Sequence, residues 1–458
     1  MQLREAIRTI GGVRFMIDRL DIRSGLSRSI LYETPYMQDD RLIREELERI
    51  EFFRTLLCDE KYAEGIESLR IKLDRLKDIR NTIAALQGKH TLDDIQLFEI
   101  KGLALLGEEI NELLAQLKID ILETVSLKAV VGILDPDKNR IPSFYIYDSY
   151  SAELASLRKE LKKSKGDEAE YEKIYARCEA LEEKIRTDLC LKLRPYSQGM
   201  LRASEVLAHL DILLAKAQQA LDMGLCKPSI DTHTIGYRGL FNPEIREALA
   251  CDGKSFQAVD IDIEKRPVLI TGANMTGKSV VLKTVALAQA LFQFGFYVPA
   301  AEARIVVVED ILVSMGDDQD ALKGLSSFAA EMGKIDRIVR EVKLGKNVLV
   351  LVDEPARTTN PTEGKALVNA LLELLDEYRI YALLTTHYSG IRTSGRKLRV
   401  KGIPDDLKSG ITGSDINRLI DYSLIEDTGE EVPHEAVRIA RMLGVDEDLL
   451  GRTEKYLM

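Results

Sequence analysis

The stretch VLITGANMTGKS, residues 268–279, decides the reading of the chain: a β-branched run, Val268-Leu269-Ile270-Thr271, breaks into Gly272-x-x-x-x-Gly277-Lys278-Ser279. A strand that ends in such a loop and restarts as a helix is a phosphate cradle. Two glycines let successive N–H groups turn into one concavity. Lys278 brings a positive charge for the β- and γ-phosphates and Ser279 a hydroxyl for Mg²⁺; the helix that follows aims its positive end at the same anion. Apolar residues recur at helical spacing from Val280 to Phe292 and supply that helix. The expected nucleotide-binding segment is therefore Gly272, Ala273, Asn274, Met275, Thr276, Gly277, Lys278, Ser279 and Val280.

Further along, Val348–Val352 reads as a fully buried strand ending in Asp353-Glu354. Asp353 is placed to hold Mg²⁺, directly or through its water, and Glu354 to polarise an attacking water. Another strand, Tyr381–Thr386, runs into His387. This histidine is either a surface residue or a donor to the transferred phosphoryl group, and the expected strand order puts it beside Asp353-Glu354. In Gly324–Met332 (GLSSFAAEM) small polar residues precede a helix, with Ser327 and Glu331 expected to reinforce its start. Alone, that is a capped helix; the alternative is that Ser326 meets a γ-phosphate held by another subunit. Phe256, ahead of the phosphate-loop strand, is the expected adenine-stacking side chain.

The whole chain sets bounds on these readings. At 458 residues it is too long for one core. Apolar content of 45% with 30% charge is that of a globular protein. No apolar run reaches the ~18 residues of a membrane span, and the N-terminus lacks the apolar core of a signal peptide, so a cytoplasmic protein is expected. Five scattered cysteines without a Cys-x-x-Cys pair read as reduced structural thiols, and five dispersed histidines give no zinc pattern. The net charge of −11 argues against a protein dominated by phosphate-backbone contacts, although a basic stripe is compatible with it.

Two halves differ in pattern. Residues 1–225 read as helix after helix, as in Arg41–Leu57, Tyr62–Gln87, Thr91–Leu117 and Glu182–Leu221. Asp135-Pro136-Asp137 marks a turn and Ser143–Tyr147 reads as extended. From about 151 to 221 the chain is expected to form a long helical hairpin with a polar tip at KKSKGDEAE, residues 162–170. Residues 226–428 alternate short β-branched runs with helices (Val268–Thr271, Ala303–Val308, Asn347–Val352, Ile380–Thr385), which argues an α/β domain with a largely parallel sheet. The tail, 429–458, returns to helix over Val432–Met442 and Asp446–Tyr456.

Taken together, ITGANMTGKS, FGFYVPA, GLSSFAAEM, VLVLVDEPARTTNPTEG and LLTTHY resemble the ATPase domain of MutS-type proteins, a branch of the ABC ATPase class. Order and spacing agree through residues 226–458, and the helical half resembles the family's core and lever more weakly, best at Ser24–Asp39 and Asp148–Leu161. The resemblance implies an α/β P-loop ATPase domain preceded by an all-α lever and core domain. It implies ATP with Mg²⁺ held by Ser279 and Asp353, and hydrolysis by Glu354, His387 and Lys278. It also implies a dimer, homomeric or heteromeric, formed through the ATPase domain. Each site would be completed in trans by Ser326 of the other subunit, and Val432–Tyr456 would serve as the dimerisation element.

Departures from the family pattern shape the functional expectation. The expectation is a member without the family's mismatch-reading and connector domains. The short tip of the hairpin leads to the further expectation that the DNA-gripping clamp is missing, and a nuclease-like tail is not expected either. Thr276-Gly277 stands for Gly-Gly, Ala273 for Pro, Ala301 for a Gln or Glu, and Ala356-Arg357-Thr358-Thr359 for Gly-Arg-Gly-Thr. None of these removes a catalytic group. The expectation is a nucleotide-driven dimeric switch acting on a protein client, similar to ATPase subunits that reactivate cobalamin-dependent aminomutases. The alternative is a DNA-binding member acting in repair or recombination on mismatched or branched DNA, for which Arg392, Arg396, Lys397, Arg399 and Lys401 form a basic cluster.

Overall fold

The computed structural model describes residues 1–140, 143–164, 167–272, 277–316, 327–402, 420–427, 437, 440–441 and 444–456. The first half carries α1 (Leu3–Thr9), α2 (Val13–Asp18), α3 (Gly25–Glu33), α4 (Asp40–Leu57), α5 (Ala63–Leu73), α6 (Arg80–Gln87), α7 (Asp94–Gln116), α8 (Lys128–Leu134), α9 (Ala152–Lys163), α10 (Glu168–Leu193) and α11 (Ser197–Met223). Strands and helices then alternate. They are β1 (Ser229–Asp231), β2 (Ile235–Leu240), α12 (Pro243–Cys251), β3 (Val259–Ile263), β4 (Val268–Thr271), α13 (Lys278–Gln293), β5 (Glu302–Val306), β6 (Asp310–Ser314), α14 (Ser327–Lys343), β7 (Val348–Val352), α15 (Pro361–Glu377), β8 (Tyr381–Thr386), β9 (Lys397–Gly402), β10 (Asp421–Glu426) and α16 (Glu447–Lys455). A helical part followed by mixed α/β sheets is thus the observed order. No helix among the described residues is long and apolar enough to cross a membrane.

Backbone contacts divide the chain into two compact units. One comprises Met1–Leu20, Thr34–Glu48 and Gln219–Met458; the other comprises Asp21–Glu33 and Arg49–Gln218. The second unit is all helical. In it α9 and α10 pack together, burying Leu154, Leu157, Ile174 and Cys178 and joined by Arg158–Glu182 at 2.8 Å. The run expected as one helix over Tyr62–Gln87 is two, α5 and α6, with the chain between them turning at Asp74–Ile79. Asp78 accepts from the Arg80 N–H and from its guanidinium, which secures the restart of the helix. A buried polar knot fixes the irregular segment after α8: Lys101, 1% exposed, donates to Asp135 at 3.0 Å and to the Tyr147 hydroxyl at 3.0 Å. Ser143–Tyr147 is irregular, and among the described residues it pairs with no strand.

The first unit holds two sheets. One is six-stranded, in the order β10-β9-β4-β8-β7-β6, and is parallel except for the β9–β10 edge pair. Its strands β4, β7 and β8 are apolar on both faces, as sandwiched parallel strands must be. The other sheet runs β1-β5-β2-β3 with mixed pairing. It takes the run Ala303–Val308, which the sequence pattern alone had assigned to the parallel sheet. Helix α13 is apolar almost all round and buried accordingly. Its two buried amides tie it to its surroundings: Gln289 donates to the Val306 carbonyl, and Gln293 to those of Val308 and Met37. Tyr36 donates its hydroxyl to Gln293 at 2.8 Å, so Thr34–Glu48 shares the core of the α/β unit.

Candidate functional site

The parallel strands β4, β8 and β7 lie side by side, with Thr271 opposite Thr386 and Val352 opposite Leu384. Their C-terminal ends therefore open at one edge of the sheet, where α/β folds carry their ligands. Past β4 the chain reaches Gly272 at φ +138° and leaves the loop at Gly277, φ +79°, which leads directly into α13 at Lys278. Side-chain-bearing residues rarely adopt such backbone, and this is the physical reason for glycine at both ends. Ala273, Asn274, Met275 and Thr276, and also Ser326, lie outside the described residues, as do Lys165 and Gly166 of the hairpin tip and most of Val432–Met442.

Lys278 is 4% exposed and donates to the Gly272 carbonyl at 2.8 Å, so its ammonium lies across the loop. The same nitrogen is 3.4 Å from Glu354 Oε1. Glu354 sits just beyond β7, 11% exposed, with His387 Nδ1 3.6 Å and Arg357 3.9 Å from its other oxygen. Asp353 accepts from the Thr385 hydroxyl at 2.6 Å, and that hydroxyl accepts from the Glu354 N–H at 2.9 Å. Five sequence-selected residues, Gly272, Lys278, Asp353, Glu354 and His387, thus gather at one sheet edge from three different strands. Ser279 and Val280 occupy the first turn of α13.

These groups fit a nucleoside triphosphate. Two positive-φ glycines, a buried ammonium aimed across the loop and a helix N-terminus form an anion cradle. Among the described residues no cluster of three or more His, Cys, Asp or Glu side chains forms a protein-only metal site. Mg²⁺ would bind there through one or two protein oxygens together with phosphate oxygens. Ser279 and Asp353 are the residues available to hold it.

Two corrections and one addition follow from the geometry. Glu331 does not reinforce the start of α14; its carboxylate accepts from the Ala356 N–H at 2.6 Å, across to the turn after β7. The basic cluster in and just before β9 is largely neutralised by β10 and the residue after it: Arg396 pairs with Glu426 at 2.5 Å, Lys397 with Asp427 at 3.1 Å and Lys401 with Asp421 at 2.8 Å. The Lys401 ammonium, with help from Ser423 and Gln257, holds the Asp421 carboxyl well below the usual carboxylate range. The addition is Tyr422, whose ring lies 3.1 Å from the point where a Cβ on Gly277 would stand. Burial pushes its phenol up. Phe256, half-buried, lies in the loop before β3. Its neighbour Gln257 accepts from the Tyr422 N–H at 2.9 Å and donates to Asp421 at 2.8 Å, binding that loop to β10. No sequence motif marks Tyr422, because it reaches the loop only through the β9–β10 pairing.

A profile of MutS domain V matches residues 268–455. Relatives include proteins named endonuclease MutS2 from Levilactobacillus brevis, 33% identical over 218 residues (47% of this chain, 27% of the relative), and from Caldanaerobacter subterraneus, 32% over 279 residues (60% and 33%). A DNA mismatch repair protein MutS from Thermus aquaticus is 29% identical over 297 residues (65% and 35%). The matched stretch spans about a third of the length of these relatives. Residues 268–455, which hold Lys278, Asp353-Glu354 and His387 at one sheet edge, are thus similar to the ATPase domain of MutS-type proteins.

Proposed function

We propose that the chain hydrolyses ATP as a dimeric conformational switch and acts on DNA in repair or recombination. The observation that carries the hydrolytic part is the convergence of Lys278, Glu354 and His387 within 3.6 Å contacts at the ends of β4, β7 and β8. In this reading the segment Gly272–Val280 and the Lys278 ammonium bind the phosphates. Glu354 polarises the attacking water, and His387 donates to the transferred group. Bound Mg²⁺ neutralises phosphate charge, with Ser279 and Asp353 as its protein ligands. Phe256 and Tyr422 are the candidates to flank the base. Ser326 of a second subunit completes the site, and residues 429–458 contribute to the dimer contact.

DNA as the target is favoured by the relatives' names, an endonuclease and a mismatch repair protein. None of the relatives named above points to an aminomutase or to a protein client, and that expectation is set aside. Because three of the five cations in and just before β9 are paired with carboxylates on β10 or just beyond it, the DNA contact is not assigned to that cluster. Anisotropy titrations of labelled duplex and four-way-junction DNA at rising salt, with and without Mg-ATP, test the proposal. Binding that falls steeply with salt supports it; no binding near physiological salt with either nucleotide state removes DNA as the target.

A further inference from the structure

We propose that Glu331 is a positioning residue for hydrolysis: from helix α14 it holds the turn that aims Glu354, an inference that rests on the ATPase reading above. The turn needs holding. Glu354 has φ +45° and Ala356 φ +61°, both in the left-handed region without being glycine, and Pro355 between them is fixed near its own φ. Such backbone persists only where its surroundings over-determine it. Three side chains do so here. Thr385 accepts from the Glu354 N–H at 2.9 Å, Glu331 accepts from the Ala356 N–H at 2.6 Å, and the Tyr388 hydroxyl donates to the Ala356 carbonyl at 2.8 Å. Tyr388 follows His387 directly, and Gly364 on α15 leaves room for its phenol, where a Cβ would collide.

The placement of Glu331 is informative. Further along α14, Ile335, Ile338, Val339 and Val342 pack on the core of the six-stranded sheet with Val350 and Val352. Spacing of four, seven and eleven puts Glu331 at the head of that apolar stripe, where a carboxylate is costly unless satisfied. Burial pushes the Glu331 carboxyl up, against the Ala356 N–H, Arg357 and Lys334, which draw it down. Glu331 is only half-buried, and its carboxylate reaches out of its own helix to a partner 25 residues away. Since α14 begins at Ser327, next to the residue proposed to meet the other subunit's nucleotide, Glu331 links that helix to its own subunit's catalytic turn.

The test compares Glu331→Ala, Glu331→Met and Glu331→Gln with the wild-type chain, reading steady-state ATP hydrolysis, nucleotide affinity by calorimetry and thermal melting. Methionine fills the same volume without an acceptor, so the test stands if the alanine variant fails to fold. Glutamine keeps a carbonyl oxygen for the Ala356 N–H. The expected result is a kcat about a hundredfold lower for alanine and methionine, the scale of a base displaced by about an ångström. ATP affinity stays within about twofold, and glutamine restores kcat to within a few-fold. Wild-type turnover in the methionine variant overturns the inference, as does an equal loss of affinity and kcat that glutamine does not rescue. Absence of hydrolysis by the wild-type chain would instead defeat the underlying ATPase reading.

Discussion

Lys278 Nζ stands 3.4 Å from Glu354 Oε1, in a pair whose side chains keep only 3% and 11% of their exposure. The ammonium that phosphates need is thereby engaged by the carboxylate that must act as base. Glu354→Gln removes that competing charge. It is expected to bind Mg-ATP about tenfold more tightly, roughly the 1.4 kcal/mol of one weakened charged contact. Calorimetry decides, and unchanged or weaker binding would show that the pair does not compete with nucleotide. Lys278→Ala is expected to abolish measurable binding in the same assay.

His387 lies 3.6 Å from Glu354, and its ring centroid is 4.4 Å from that of Tyr388, the planes tilted by 42°. If it donates to the transferred group, His387→Ala lowers kcat by about a hundredfold with little change in ATP affinity. A wild-type kcat in that variant would return the histidine to the status of a surface residue.

Tyr422 faces Gly277, and in the proposed reading it flanks the base. Tyr422→Ala is expected to weaken ATP by about 1–3 kcal/mol, the worth of one aromatic stack, and to leave inorganic tripolyphosphate unaffected. Tyr422→Phe keeps the ring and should bind ATP as the wild type does. Equal losses for ATP and tripolyphosphate would place the effect on the loop and not on the base.

In the helical unit Lys101 and Asp135 are 1% and 3% exposed and 3.0 Å apart. Lys101→Met leaves a carboxylate buried without its ammonium and is expected to cost about 3–5 kcal/mol, read as a lower melting temperature or denaturant midpoint. Burial alone would raise the Asp135 carboxyl, but the Arg140 N–H and the Lys101 ammonium outweigh it and hold it below its usual value. A depressed folded value means stability that is present above the unfolded value and lost as pH falls through the folded one. The melting temperature of this unit should therefore fall as pH drops below about 4. A flat acid profile, or a Lys101→Met variant as stable as the wild type, would contradict the assignment.

Much of the site was legible because its determinants are local. Gly272 and Gly277 are spaced for one loop, and Val348–Val352 announces a buried strand whose end must carry the acids. Tyr422 and the role of Glu331 were not legible, since each acts through a partner distant in sequence: Tyr422 by the pairing of β10 with β9, Glu331 by a bond to Ala356. The charge cluster in and just before β9 read as a basic patch because its neutralising carboxylates lie beyond residue 420, on or just after a strand that sequence periodicity did not mark. In the same way, Ala303–Val308 has the composition of a parallel core strand, and only its pairing with β1 and β2 sends it to the second sheet. The four-stranded sheet and the contribution of Thr34–Glu48 to the α/β core depend on such long-range bonds, as in Tyr36 to Gln293.

The most direct measurement is a single-turnover assay with γ-labelled ATP and excess protein, run on the wild-type chain and on Glu354→Gln. Release of labelled phosphate by the wild type, with retention of uncleaved ATP by the variant, is the result expected of a hydrolytic carboxylate beside the phosphate loop. Equal phosphate release by both chains, or none by the wild type while ATP stays bound, would contradict the account.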